Sequence, residues 1–171
     1  DTRSRSLSNR ETDILIALSR PKKGRLKSWK LCDYYVKLYG SNEYLKKNTK
    51  ITEIKDLTNH KFVNYADELI EFPELHYLQE INNSPNIVFS SNSLRSQLLA
   101  VKNGIGIGLL HSFVAYKEKD LKVILPEKIN IKREYWIVVH ENNFHLRRIK
   151  AVTDFVTTIL NDEKKFLSTV E

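Results

Sequence analysis

The stretch Ser91-Asn-Ser-Leu-Arg-Ser-Gln-Leu-Leu-Ala-Val-Lys-Asn-Gly-Ile-Gly-Ile-Gly-Leu-Leu110 decides how this chain is read. It opens on three residues whose side-chain oxygens cap helices by accepting from backbone N–H groups. Leu94, Leu98 and Val101 then recur at helical spacing, and Gly104 supplies the stop. Ile105 to Leu110 follows as a compact apolar strand, and Asn86-Ile-Val-Phe-Ser90 precedes the caps as another. The glycines of Gly104-Ile-Gly-Ile-Gly108 do not form the dinucleotide fingerprint. They follow a helix instead of a strand, and the third glycine is not at the required offset. They read as a helix stop running into a tightly packed strand.

Working outward, Thr12 to Leu18 is a short apolar run closed by Ser19-Arg20-Pro21 and reads as a buried strand. Leu31 to Tyr39, rich in Tyr, Val and Leu, reads as a longer strand. Ser41 can cap a short helix over Asn42 to Lys47, with Glu43 near its positive end. Ile54 to Leu57 is a helical turn, Lys61 to Tyr65 a short strand, and the acidic segment Asp67 to Glu80 holds one short helix. Beyond the deciding stretch come a short helix at His111 to Tyr116 and strands at Leu121 to Leu125 and Glu134 to Val139. A long helix, capped by Asn142 or Asn143, carries the stripe Leu146, Ile149, Val152, Val156, Leu160. Asn161 to Glu171 reads as its end and a tail. Strands alternating with helices argue for an α/β fold with largely parallel sheets.

The chain has 171 residues, enough for one domain or two small lobes. Hydrophobic residues are 41% and charged residues 29%, the range of a globular protein. No run approaches the roughly 20 apolar residues of a membrane-spanning helix, and no secretory signal pattern is visible. No methionine occurs, so residue 1 is not expected to be the natural start. Cys32 is the only cysteine, which excludes an intrachain disulfide and argues against a cysteine-based zinc site. Packing in a core is favoured for it over a reactive thiol. The net charge is +7, and residues 1–56 hold 14 basic against 7 acidic residues. The excess centres on Arg20-Pro-Lys-Lys-Gly-Arg-Leu-Lys27 and Lys30. Such a cluster can attract nucleic acid or anionic lipid. Pro21, Gly24 and the lack of interleaved aromatics favour a solvated loop over a recognition helix.

Catalytic patterns are sparse. There is no phosphate loop and no Gly-x-Ser-x-Gly nucleophile elbow. His60, His76, His111, His140 and His145 show no metal-ligand spacing beyond a loose pair at 140 and 145. Asp67 and Glu68 sit in a polar turn and read as solvated charges. No enzyme, metal or cofactor is implied.

In chain order, six blocks resemble the effector-binding domain of LysR-type bacterial transcription regulators. They are Asn9 to Pro21, Tyr39 to Leu45, Ile54 to His60, Ser91 to Leu110, Arg133 to His140 and Leu146 to Phe155. The block from Ser91 is the most specific. The family's winged helix-turn-helix, its linker helix, and the first strand and helix of the sensing domain have no counterpart here.

The resemblance implies a two-lobed, periplasmic-binding-protein-like (type 2) α/β fold, incomplete at the N-terminus. Crossovers are expected near Tyr34 to Val36 and Tyr135 to Ile137. Lobe I would be residues 1–35 and 137–171, and lobe II residues 36–136. It implies a cytoplasmic sensor, not an enzyme, that binds a small-molecule effector between its lobes without a cofactor. As partners it implies a homodimer or homotetramer, no membrane, and DNA only through the missing winged helix-turn-helix domain. The alternatives are a free-standing solute-binding protein of the same fold or an enzyme built on it.

Ligands in such folds sit at strand ends and helix N-termini. The effector site is therefore expected at Ser19 and Arg20 on one lobe and at Asn64, Ser91, Asn92, Ser93 and His111 on the other. An anionic, carboxylate-bearing effector would suit the helix start and a forked Arg20 donor. Capping by the serines and solvation of Arg20 are the competing readings.

Overall fold

In the computed structural model, residues 12–21, 24–66 and 72–162 are described. The chain divides into two compact units. One is Tyr35–Lys132; the other is formed by the segments on either side of it. Two strands carry the chain across the division. β2 (Leu26–Ser41) passes it between Tyr34 and Tyr35, and β7 (Asn130–His140) between Lys132 and Arg133.

In the central unit the strands are the far half of β2, β3 (Lys61–Asn64), β4 (Asn86–Ser90), β5 (Ile107–His111) and β6 (Leu121–Ile124). β5 lies between β2 and β3, and β4 follows β3. β3 is parallel to both β4 and β5, whereas β2 is antiparallel to β5 and β6. Within the central unit the expectation of largely parallel sheets therefore holds only for β3, β4 and β5. The deciding stretch forms α2 (Leu94–Lys102), and Tyr39, Val63, Ala100, Val101 and Leu110 meet in one buried cluster. Gly104, at φ +70, ends α2 in a conformation that L side chains rarely adopt; the Gly104 and Ile105 amides donate back to Val101 and Ala100. The strand after it starts at Ile107 instead of Ile105.

Helix α1 (Asn42–Lys47) is capped by Ser41, whose Oγ accepts from the Tyr44 amide at 3.2 Å. Below it, a 3-10 turn (Ile54–Asn59) leads to His60, which is fully buried. The Lys61 amide donates to the Tyr44 hydroxyl, which lies 3.2 Å from His60 Nδ1. Over residues 72–80 the acidic segment forms the 3-10 turns Pro73–Leu75 and Tyr77–Glu80; residues 67–71, the rest of the span in which a short helix was expected, fall outside the described residues. α3 (Ser112–Ala115) follows β5.

The flanking unit pairs β1 (Ile14–Ala17) antiparallel to the end of β7, with Ile14 opposite Val139 and Ala17 opposite Trp136. β7 neighbours β2. β2 begins at Leu26, five residues before the sequence suggested, so Lys27 and Lys30 of the basic cluster lie in a strand while Arg20 and Arg25 stay outside it. These cations are engaged. Lys30 bonds Asp33 at 2.7 Å and Glu134 at 2.8 Å, and these carboxylates hold its ammonium well above the usual lysine range. Arg25 lies 3.5 Å from Glu141, and the Lys27 ammonium sits 4.2 Å from the Phe144 ring centre. Lys22 and Lys23 fall outside the described residues. β7 likewise starts earlier than expected, at Asn130 instead of Glu134; Lys132 and Arg133 obscure the alternation of its first residues. Cys32 is buried, 3% exposed.

The long helix α4 (Arg147–Asp162) follows a 3-10 turn, Glu141–Asn143. That turn displaces the expected asparagine cap, and Asn143 Nδ2 donates to Asp13 instead. The inward line of α4 runs through Ile149 and Thr153. Val152, expected in the apolar stripe, is 48% exposed. The tail from residue 163 onward falls outside the described residues.

Candidate functional site

β3 and β4 run parallel and end side by side at Asn64 and Ser90. The Ser91 amide donates to the Asn64 carbonyl at 3.0 Å, continuing the ladder one residue beyond the strand. The chain then turns. Asn92 Oδ1 accepts from the Ala66 amide at 3.1 Å, which ties this turn to the segment leaving β3. Ser91 Oγ accepts from the Ser93 amide at 3.2 Å, and Ser93 Oγ accepts from the Ser96 amide at 3.3 Å. Ser93 is thus the N-cap of α2, with extended backbone at φ −98 and ψ 114. The capping reading of Ser93 holds, and Ser91 supports the turn in front of it.

Four of the expected residues, Asn64, Ser91, Asn92 and Ser93, therefore come together in one cluster. Capping accounts for the Ser96 amide, and the Gln97 amide donates to the Ser93 carbonyl. The Leu94 and Arg95 amides, first in the helix, have no intrahelical acceptor. They carry the positive end of the helix dipole toward whatever lies in front of the turn.

One contributor has no signal in the sequence. Gln97 is 1% exposed and its Nε2 donates to the Ser91 carbonyl at 2.6 Å. It sits on the inner side of α2, where a glutamine reads as an ordinary helix former.

His111 ends β5 and is 2% exposed. Its Nε2 lies 3.4 Å from the Tyr77 hydroxyl, and its ring meets Tyr77 and Phe113 edge-on. Burial pushes its pKa down to about 4, so it is a neutral ring at physiological pH. Tyr77 in turn lies against Tyr65, 6.2 Å between ring centres. His111 is thus a member of a buried aromatic group, and a ligand reaching it would have to part that group.

Ser19 and Arg20 belong to the flanking unit, directly after β1, and both are exposed. The Arg20 guanidinium stands 5.7 Å from the Trp136 ring centre, within cation–π range. Trp136 Nε1 donates to Glu134, which also holds Lys30. Arg20 is therefore a solvated cation leaning on an indole face. Among the described residues, no group of three His, Cys, Asp or Glu side chains is placed to hold a metal ion.

The LysR substrate binding domain family model matches residues 1–160. Among solved structures, the regulatory domain of CrgA, a LysR-type transcriptional regulator from Neisseria meningitidis, is similar with a TM-score of 0.73 at 22% identity; the match covers 90% of this chain and 78% of that one. A cysteine-to-serine variant of the AphB regulatory domain from Vibrio vulnificus is similar with a TM-score of 0.69 at 19% identity, covering 87% and 80%. The Synechocystis CcmR regulatory domain, solved in complex with 2-PG, gives a TM-score of 0.67 at 14% identity, covering 90% and 76%. No curated protein shows a significant match to the chain.

Proposed function

The chain belongs to the LysR substrate binding domain family, whose model matches residues 1–160, and from that premise we propose how it senses its ligand. It is a ligand-sensing regulatory domain with the type 2 periplasmic-binding-protein-like fold. In our reading an effector binds between two lobes; among the described residues the bounds expected for them, residues 36–136 against 1–35 with 137–171, differ from the compact units only at Tyr35 and residues 133–136. Bound effector favours one lobe arrangement, and only its differential affinity for that arrangement can drive the shift. DNA is reached through a winged helix-turn-helix outside this chain, the working oligomer is a homodimer or homotetramer, and the protein acts in the bacterial cytoplasm without catalysing a reaction. Among the described residues no helix is long and apolar enough to cross a membrane.

The observation that carries the site is the clamped start of α2. Asn92 and Ser91 hold the turn, Ser93 caps the helix, and the Leu94 and Arg95 amides are left without an intrahelical acceptor. A helix start of this kind favours an anion. Asn64 and Ser91 to Ser93 would contact the effector, Ser19 and Arg20 would supply hydroxyl and guanidinium donors from lobe I, and His111 would lie behind them with Tyr77. We assign the effector a carboxylate or another anionic group. The CcmR domain bound to 2-PG supports a small-molecule occupant for a fold of this kind.

Calorimetric titration of the chain with a panel of small mono- and dicarboxylates tests this reading, repeated on Ser93→Ala and Asn92→Ala. At least one acid should bind, and both substitutions should weaken it. A ligand whose affinity neither substitution changes overturns the site. Oligomerisation is checked by sedimentation, where a strictly monomeric chain counts against association through this domain.

A further inference from the structure

The flanking unit contains an open pocket of about 720 Å³ between the start of β2 and helix α4. This is the size class of a small-molecule site. Its apolar wall is Trp29 and Phe144, set edge-to-face with ring centres 6.0 Å apart. Thr153 and Thr157 form the floor. Both hydroxyls are turned back on the helix, donating to the Lys150 and Thr153 carbonyls, so the floor presents methyl groups as much as donors. The rim carries Lys150 and Asp154, one helical turn apart and both lining the pocket. At i and i+4 they are neighbours that often pair, yet neither has an ion-pair partner among the described residues.

We infer that this pocket is a second ligand site, distinct from the α2 helix start, and that it takes a zwitterionic small molecule with an apolar, planar body, such as an aromatic α-amino acid. The chemistry follows from the lining. A ring fills the space against Trp29 and Phe144, where aromatic contacts favour edge-to-face or offset geometry. The carboxylate then faces Lys150 and the ammonium faces Asp154, so each rim charge gains the partner it lacks. A purely anionic ligand would leave Asp154 opposed to its charge, and a purely cationic one would do the same to Lys150. The nearby Lys27 ammonium already rests on the Phe144 ring, which leaves Lys150 as the lysine offered to the ligand, with the His145 ring beside it in the lining. Such a site would let the domain read an amino acid through unit-internal residues, independently of the first site.

The chain has two tryptophans, so Trp136→Phe leaves Trp29 as the only indole reporter. Trp29 emission in that variant is titrated with L-phenylalanine, phenylacetate and 2-phenylethylamine, and calorimetry on the unaltered chain repeats the phenylalanine titration. Phenylalanine should shift Trp29 emission saturably. Phenylacetate and phenylethylamine should each bind about threefold to tenfold more weakly, as expected for losing one charge-assisted contact at an exposed rim. Lys150→Gln and Asp154→Asn should each weaken phenylalanine by a similar factor, and Asp154→Asn should improve phenylacetate. Ser93→Ala and Asn92→Ala should leave phenylalanine binding unchanged, which separates this site from the first. The assignment is overturned if phenylalanine gives no saturable signal by either method, if both rim substitutions are without effect, or if Ser93→Ala and Asn92→Ala abolish the signal.

Discussion

The Gln97 side chain donates to the Ser91 carbonyl across 2.6 Å, from inside the fold to the turn that precedes its own helix. This bond fixes the Ser91 peptide plane and, with it, the direction of the amides that open α2. Gln97→Leu keeps the volume and removes the donor, leaving a part-buried carbonyl unpaired. The cost should be about 1–3 kcal/mol, read as a lower urea midpoint at unchanged slope. Effector affinity should fall as well, because the turn loses its brace. Unchanged stability would show that water replaces the bond without loss.

Ser93 both caps α2 and stands at the proposed anion site, and two substitutions separate these roles. Ser93→Ala removes the cap and should cost about 1 kcal/mol of stability. Ser93→Asp keeps a capping oxygen and adds a charge that suits a helix N-terminus, so stability should stay within a few tenths of a kcal/mol. An anionic effector should nevertheless bind Ser93→Asp at least about tenfold more weakly through like-charge repulsion. Equal affinity for Ser93→Asp and the unaltered chain would mean that the effector is not anionic or binds elsewhere.

The glycines after α2 serve packing, and this too can be measured. A Cβ on Gly106 would stand 2.5 Å from the Lys61 carbonyl oxygen, which is backbone and cannot step aside. A Cβ on Gly108 would meet the buried Val101 Cγ2 at 2.9 Å and come no nearer to backbone than the Val63 carbonyl oxygen at 3.3 Å. Gly106→Ala should therefore be the more damaging, by about 1–3 kcal/mol or more, with Gly108→Ala milder. If Gly108→Ala proved the worse, the Gly106 approach to β3 would not limit the fold.

The deciding stretch was legible because capping, helical period and glycine stop all point the same way from Ser91 to Leu110. Ser41 and its short helix were legible from the cap and from Glu43 in the first turn. What stayed hidden was hidden by charge. Lys27 and Lys30 look like loop residues until Phe144, Asp33 and Glu134 are seen to receive them. Those partners are distant in sequence or cannot be assigned from one strand alone. Lys132 and Arg133 mask the start of β7 in the same way. Strand direction was also illegible: β2 reverses relative to β5, and nothing local records it. Within the site, the serines and Asn92 carry a capping signature, whereas the burial of His111 and the brace from Gln97 depend on Tyr77 and on which side of α2 turns inward.

His111 gives the domain a specific acid sensitivity. Burial holds its pKa at about 4 against an ordinary value of 6.5. The unfolded chain therefore takes up a proton on this ring before the folded chain does. Stability from this group is complete above pH 6.5, declines as the pH falls from there toward 4, and changes no further below that. Its full extent is about 3 kcal/mol. His60, also lowered, chiefly by burial, adds loss of the same sign. The Asp56 carboxylate is held below its ordinary value by bonds from Thr52 and Glu53, so its contribution is lost only at lower pH and leaves the window from 7 to 5 to the histidines. Urea midpoints at pH 7 and pH 5 should differ clearly for the unaltered chain and much less for His111→Gln. If His111→Gln keeps the full difference while His60→Gln removes it, the sensitivity belongs to the corner beneath α1 and not to the Tyr77–His111 contact.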